Sequence, residues 1–349
     1  MSDAAPARTA WVDIARGATI VLVVLYHVGA GASADLLPGE YSSYGAWWLA
    51  GNNVLVPLRM PLFFVLSGML ATGALRRPWS RVRRPRIADM LWPYLLWSVV
   101  FALTTWPRYT PQDPEGGIWS ALRGIVVLNS PYWFIAVLPV LFLLTRFGLR
   151  RPRVLLIASA SAFMLGPMLQ EVLQDAGPVS AIAVGTRRIT EYLVWFASGA
   201  VLRERLLSMG GAPRPALAIV CILVFSPTAV ALQVLDLSYV PRRLLVLLAA
   251  GSGIIGAVAV AACAARVRWI AALGRQIGSR TLVIYLVHPL VVSAVVVLWR
   301  DSALASAVAG SASAGLLLVP GVTVLAVVVS LLVSRVLARW GPRWVLAAP

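Results

Sequence analysis

The chain contains two histidines, His27 and His288, and each lies within a long apolar run. An imidazole, with a reference pKa near 6.5, can take or give a proton at neutral pH. Inside hydrocarbon the same ring is costly, so it faces the interior of a bundle, either as a hydrogen-bonded helix contact or as a working group. For one such histidine the two readings weigh evenly; two, with no others in the chain, favour function. Arg16 precedes His27 by eleven positions, about three helical turns, so both sit on one face roughly 16 Å apart along the axis. Asp13, at i, i+3 from Arg16, can pair with it. One face thus presents a fixed cation and a titratable ring, although Asp13 and Arg16 would serve equally as an interfacial anchor pair. The second histidine repeats the pattern: Gly278-Ser279-Arg280 opens its segment, His288 follows about 12 Å above Arg280, Tyr285 shares its face, and Pro289 comes next.

A third apolar run holds Arg59 and then Met60-Pro61-Leu62-Phe63-Phe64-Val65-Leu66-Ser67-Gly68. A proline and an arginine inside one helix both need protein or water partners. Close behind come Arg76, Arg77, Arg81, Arg83, Arg84 and Arg86. Such a cluster could grip phosphates through forked guanidinium contacts, or it could set orientation and touch anionic lipid.

The elements that must carry these residues follow from composition. Of 349 residues 60% are hydrophobic and only 12% charged, with mean hydropathy +0.84, which excludes a water-soluble globule. Apolar runs long enough to cross a core roughly 30 Å thick recur along the whole chain. The expectation is an all-α polytopic membrane protein, a single integral membrane domain over residues 1–349. About ten transmembrane helices are expected, near 12–32, 50–74, 87–106, 131–149, 153–170, 189–204, 214–235, 243–265, 280–299 and 313–338.

Net charge is +17, and all 30 basic residues are arginine. With the N-terminus cytoplasmic, 22 arginines fall in inner loops or at inner segment ends and 7 on the outer side, while Arg59 alone lies deep within a segment. That asymmetry is the positive-inside rule; the charge reports topology rather than a nucleic-acid partner, and both termini are expected in the cytoplasm. Cys221 and Cys263 fall inside helices, where cysteine behaves as a small apolar residue, so neither a disulfide framework nor a thiolate metal site follows. Ala30-Gly31-Ala32 has the small-x-small form of a signal cleavage site, but the segment is expected to be a retained first helix. The longest outer gap, about Pro107 to Ser130, carries turn-forming prolines and glycines. Gly251, Gly253 and Gly256 permit close helix contact. No internal repeat of the kind seen in many transporters is visible.

Taken in order, these pieces resemble the acyltransferase-3 family of integral membrane acyltransferases. The family's opening Asp-x-x-Arg-Gly with a following histidine fits Asp13, Arg16, Gly17 and His27; its Pro-Leu-Phe-Phe-x-Leu-Ser-Gly segment fits Pro61 to Gly68. Its Arg-x-x-Arg-Ile element before a Pro-Tyr fits Arg83, Arg86, Ile87 and the more distant Pro93-Tyr94. Its Trp-Phe pair fits Trp133-Phe134, and its closing Tyr-Leu-x-His fits Tyr285 to His288. Ile135-Ala136-Val137-Leu138 stands where many members carry a glutamate-rich stretch, which is similar to the shorter sugar-acetylase branch.

The resemblance implies O-acyl transfer, most simply of acetyl, from cytoplasmic acyl-CoA to a hydroxyl of a carbohydrate, glycolipid or secreted acceptor in the envelope of a bacterium. Acyl-CoA enters as a co-substrate, with no tightly bound cofactor or metal implied. His27 would be the general base, Arg16 with Arg83 and Arg86 would hold the donor's phosphates, and His288 and Tyr285 would orient the acceptor or stabilise the oxyanion. Asp13, Arg59 and Ser67 would support them. A histidine carrying the acyl group covalently is a rival route. Two other classes stay open: a proton-coupled transporter using His27, His288, Arg59 and Glu191, and an acyl-CoA-binding sensor without turnover.

Overall fold

The computed structural model describes residues 4–37, 42–109, 114–300, 302, 305 and 312–348, and among these every regular element is helical. Among the described residues eight stretches are long and apolar enough to cross a membrane: Ala10–Ala32, Val56–Leu75, Trp79–Thr105, Pro152–Gln174, Pro215–Val234, Tyr239–Ala264, Thr281–Trp299 and Gly315–Trp340. All-α polytopic architecture therefore holds. The other two expected segments are helices of a different kind. Trp133–Gly148 is apolar but has only 16 residues. Ala183–Val201 begins earlier than expected and carries Arg187, Arg188 and Glu191 in its first half.

We label the helices α1 (Ala4–Tyr26), α2 (Ser42–Val54), α3 (Val56–Leu75), α4 (Asp89–Tyr109), α5 (Pro114–Val126), α6 (Trp133–Gly148), α7 (Pro152–Gln174), α8 (Ala183–Val201), α9 (Arg203–Gly210), α10 (Pro215–Val234), α11 (Tyr239–Ala264), α12 (Arg268–Gly278), α13 (Thr281–Arg300) and α14 (Ala312–Trp340). Two differences from the sequence expectation have simple causes. The single span expected over 50–74 is broken at Leu55 into α2 and α3, because Pro57 has no N–H to continue the ladder and is tolerated only in the first turn of a new helix. The outer gap read as turns instead forms α5, opened by Pro114 at its first position.

The described chain groups into two compact bodies, Met1–Leu62 with Leu207–Arg339, and Phe63–Leu206 with Trp340–Pro349. In the first, α1 lies against α12 with backbones in contact. A Cβ on Gly278 would strike the Asp13 carbonyl, one on Gly274 would strike Ile14, and Gly17 faces the Gly278 nitrogen. Glycine at these positions lets the two backbones approach directly, which no larger residue would allow. α10 and α11 pair the same way, with Gly253 against Phe225 and Gly256 against Cys221, whereas Gly251 meets nothing within 4 Å.

In the second body α3 and α8 cross at a reciprocal glycine contact, Gly68 on the Phe196 carbonyl and Gly199 on the Val65 carbonyl. Arg146, at the end of α6, donates from Nη1 to the Leu75 carbonyl at 2.8 Å and from Nη2 to the Arg77 carbonyl at 2.7 Å. It thereby satisfies acceptors left open at the C-terminus of α3, a role its place in an arginine run did not announce.

Candidate active site

The site begins where α1 changes pitch. Beyond Tyr26 the helix widens into a π turn, His27–Ala32, before resuming over Ser33–Leu36. A π turn puts one backbone group out of step with its neighbours, and such turns occur often at functional sites. Here the Ser33 hydroxyl donates to the Gly29 carbonyl at 2.9 Å, which satisfies an acceptor inside the widened stretch. A Cβ at Gly29 would run into the Asn52 amide, so any larger residue there requires that amide to move.

The wide turn presents His27 to α13. Its ring centroid lies 5.1 Å from that of His288, tilted by 58°. His288 is fully buried, at 0% exposure, whereas His27 is half-buried. Nδ1 of His288 lies 2.8 Å from the Ile284 carbonyl. A carbonyl can only accept, so Nδ1 carries the proton and neutral His288 presents a bare lone pair on Nε2. Nε2 is buried without a hydrogen-bond partner among the described residues. Tyr285, 5% exposed, has its ring 6.0 Å from His288, the shared face expected from the i, i+3 spacing.

At the base of the same two helices Arg16 donates from Nη2 to Thr281 Oγ1 at 2.8 Å. Among the described residues it closes no ion pair with Asp13. α1 and α13 are thus joined at two levels, by the long arginine side chain at the start of α13 and by the paired rings at depth. Arg59, 4% exposed, lies on the Tyr26 side of α1: its guanidinium is 4.2 Å above the Tyr26 ring, with Nη1 donating to the Leu22 carbonyl at 3.3 Å and to Asn52 Oδ1 at 3.4 Å. The partners that an arginine in an apolar segment requires are therefore an amide, a carbonyl and an aromatic face. Sequence reasoning missed Asn52 and Thr281. An asparagine inside an apolar run was the available signal for the first; nothing marked the second.

The remaining motif residues lie in the second body. Pro85 interrupts the helix entering α4, and Arg84–Ala88 form a second π turn, with Arg83 exposed and Arg86 and Ile87 half-buried. Arg84 is engaged with Asp89 at 3.9 Å and the Ala348 carbonyl at 3.0 Å. Tyr94 is buried and donates to the Ile125 carbonyl at 2.5 Å. Trp133 and Phe134 pack into one aromatic cluster: Phe134 touches Phe63 and Phe64 at 4.5 and 4.6 Å, and Tyr192 stacks on both Phe64 and Trp133. Arg188 lies 4.5 Å over the Trp133 ring. Ser67 donates back to the Phe63 carbonyl at 2.8 Å, and Gly68 makes the helix crossing described above. Much of the Pro61–Gly68 motif is thus packing. Among the described residues no three histidine, cysteine or acidic side chains gather to hold a metal.

Membrane-spanning helices with two imidazoles facing each other, one of them fully buried, define a polytopic membrane protein with a polar site between its helices. The chain belongs to the acyltransferase-3 family, whose model, described as an acyltransferase domain, matches residues 9–335. It is similar to inner membrane protein YcfT of Escherichia coli (strain K12), with 26% identity over 152 residues, covering 39% of this chain and 43% of that protein. The matched stretch therefore spans less than half of that relative's length. No solved structure matches the chain.

Proposed function

We propose that this protein is an O-acyltransferase of a bacterial inner membrane, with both termini cytoplasmic, that moves an acyl group, most simply acetyl, from cytoplasmic acyl-CoA to a hydroxyl of a carbohydrate or glycolipid. The observation that carries this reading is the His27–His288 pair, 5.1 Å between rings that both sit within apolar helices, in a chain of an acyltransferase family. Imidazole is suited to remove a hydroxyl proton at neutral pH. His27 takes the proton of the acceptor hydroxyl, the acceptor oxygen attacks the thioester carbonyl, and the CoA thiolate leaves and is protonated. His288, its tautomer set by Ile284, offers Nε2 as an acceptor for an N–H of the His27 ring, which leaves the other His27 nitrogen to take the hydroxyl proton, and Tyr285 lies beside it to donate to the developing oxyanion.

Arg16 supports donor binding. One of the five N–H groups of its fork is engaged with Thr281, and the others suit a phosphate. Arg83, exposed, and Arg86, half-buried, are cations of the second body that the family motif assigns to the donor.

The deciding experiment supplies purified protein in nanodiscs with acetyl-CoA and a panel of sugar and glycolipid acceptors, and reads release of free CoA. Release that rises with an acceptor and is lost in His27→Ala is the expected result. Normal turnover in a folded His27→Ala preparation overturns the assignment of the base. Failure of the wild type to bind acyl-CoA at all overturns the transferase reading.

A further inference from the structure

Asn52 is buried at 2% exposure in α2, and its two ends are both committed. Nδ2 donates to the Trp48 carbonyl at 2.9 Å, and Oδ1 accepts from Arg59 Nη1 at 3.4 Å. Arg59 in turn reaches the Leu22 carbonyl and covers the Tyr26 ring, both just before His27. Nδ2 of Asn52 also fills the space a side chain at Gly29 would need, just after His27. One amide therefore bears on the chain on both sides of His27, through Arg59 before it and at Gly29 inside the π turn. Such a turn has weaker local preference than the α-helix it interrupts, so its neighbours determine where its side chains sit.

We infer that Asn52 is a positioning residue: by holding Arg59 and bearing on Gly29 it fixes the widened turn that presents His27 to His288. The inference deepens the acyl-transfer reading and in its kinetic consequences rests on it, but its structural consequence can be read without any turnover. An amide that only satisfied its own helix would fill a core position and leave His27 unmoved when replaced.

The chain's two histidines make the test direct, because [15N]histidine labelling of the full-length protein in nanodiscs gives side-chain signals from those two rings alone. Asn52→Ala is expected to shift or broaden the His27 signals while those of His288 persist. Gly29→Ala, which drives a methyl into the amide, is expected to do the same. In the double variant Gly29→Ala adds nothing further, because the group it would strike is gone. Under acyl transfer, Asn52→Ala lowers kcat by about ten- to a hundredfold while KM for acyl-CoA stays within about twofold. Asn52→Asp, which keeps an accepting oxygen for Arg59 but has no N–H for the Trp48 carbonyl, is expected to recover part of the loss.

Unchanged His27 signals in folded Asn52→Ala, or additive effects of the two substitutions, overturn the inference. Should Asn52→Ala fail to fold, Asn52→Ser carries the same comparison, since it too removes the amide facing Gly29. If the signals respond as expected but no acceptor supports CoA release, the acyl-transfer reading fails and the positioning role stands.

Discussion

The rings of His27 and His288 meet at 5.1 Å although the residues lie near opposite ends of the chain. They are brought together by a glycine-mediated contact between α1 and α12 and by the short link from Gly278 to Thr281 that starts α13. The pair has a built-in asymmetry. Ile284 holds the His288 ring through Nδ1, whereas His27 rides on a widened turn. A fixed ring beside a ring on a softer support is an arrangement in which one imidazole orients and the other accepts the proton.

Groups that act as a unit give strongly non-additive losses when removed. His27→Ala is expected to lower turnover roughly a hundred- to ten-thousandfold, the usual range for a positioned general base, and His288→Ala to lower it by a smaller factor. The double variant should be no slower than His27→Ala alone. CoA release from the three variants under one set of conditions checks this; multiplicative losses would mean the rings act separately.

The Ile284 contact predicts a tautomer. In the neutral form of the ring, [15N]histidine spectra should show one residue with a protonated Nδ1 and an unprotonated Nε2, and His288→Ala should remove that set. A His288 protonated on Nε2 would contradict the hydrogen bond to Ile284.

Much of this was legible in the sequence, for reasons that differ by residue. The spans were readable because a hydrocarbon core imposes a minimum apolar length, and the two histidines because polar rings are rare there. Their meeting was not readable, since helix periodicity fixes a residue's own face but not which other helix it faces. The spacing of Asp13 and Arg16 allowed an ion pair, yet Arg16 reaches Thr281, a partner far along the chain that local spacing cannot reveal. Trp133-Phe134 and Phe63-Phe64 stood out as separate motifs, and the fold makes them one cluster. The break at Leu55 and the helix α5 are not legible in the sequence, because a proline within an apolar run or a turn-forming gap looks the same whether it continues that element or, as Pro57 and Pro114 do, opens a helix.

The two functions open to Arg16 can be separated. Thr281→Val removes only the 2.8 Å bond between α1 and α13 and, as a charge-assisted hydrogen bond, should cost about 1.5–3 kcal/mol of stability, seen as a lower melting temperature with KM for acyl-CoA nearly unchanged. Arg16→Ala should lose the same stability and in addition raise KM for acyl-CoA tenfold or more, because a phosphate contact goes with it. Equal KM values in the two variants would confine Arg16 to a structural role.

The glycine at the end of the Pro61–Gly68 motif is predicted to matter for packing alone. Its missing side chain lets α3 lie on the Phe196 carbonyl, and Gly199 returns the contact on the Val65 carbonyl. A methyl at either place forces two backbones apart, an overpacking cost of about 1–3 kcal/mol. Once the helices have separated for one methyl, the second finds room already made. Gly68→Ala and Gly199→Ala should each lower the thermal midpoint of the purified protein, and the double variant by less than the sum. Ser67→Ala, whose hydroxyl is spent on the Phe63 carbonyl within the same helix, should leave both the midpoint and CoA release close to wild type. A large loss of activity from Ser67→Ala in a stable protein would instead bring that hydroxyl into contact with substrate.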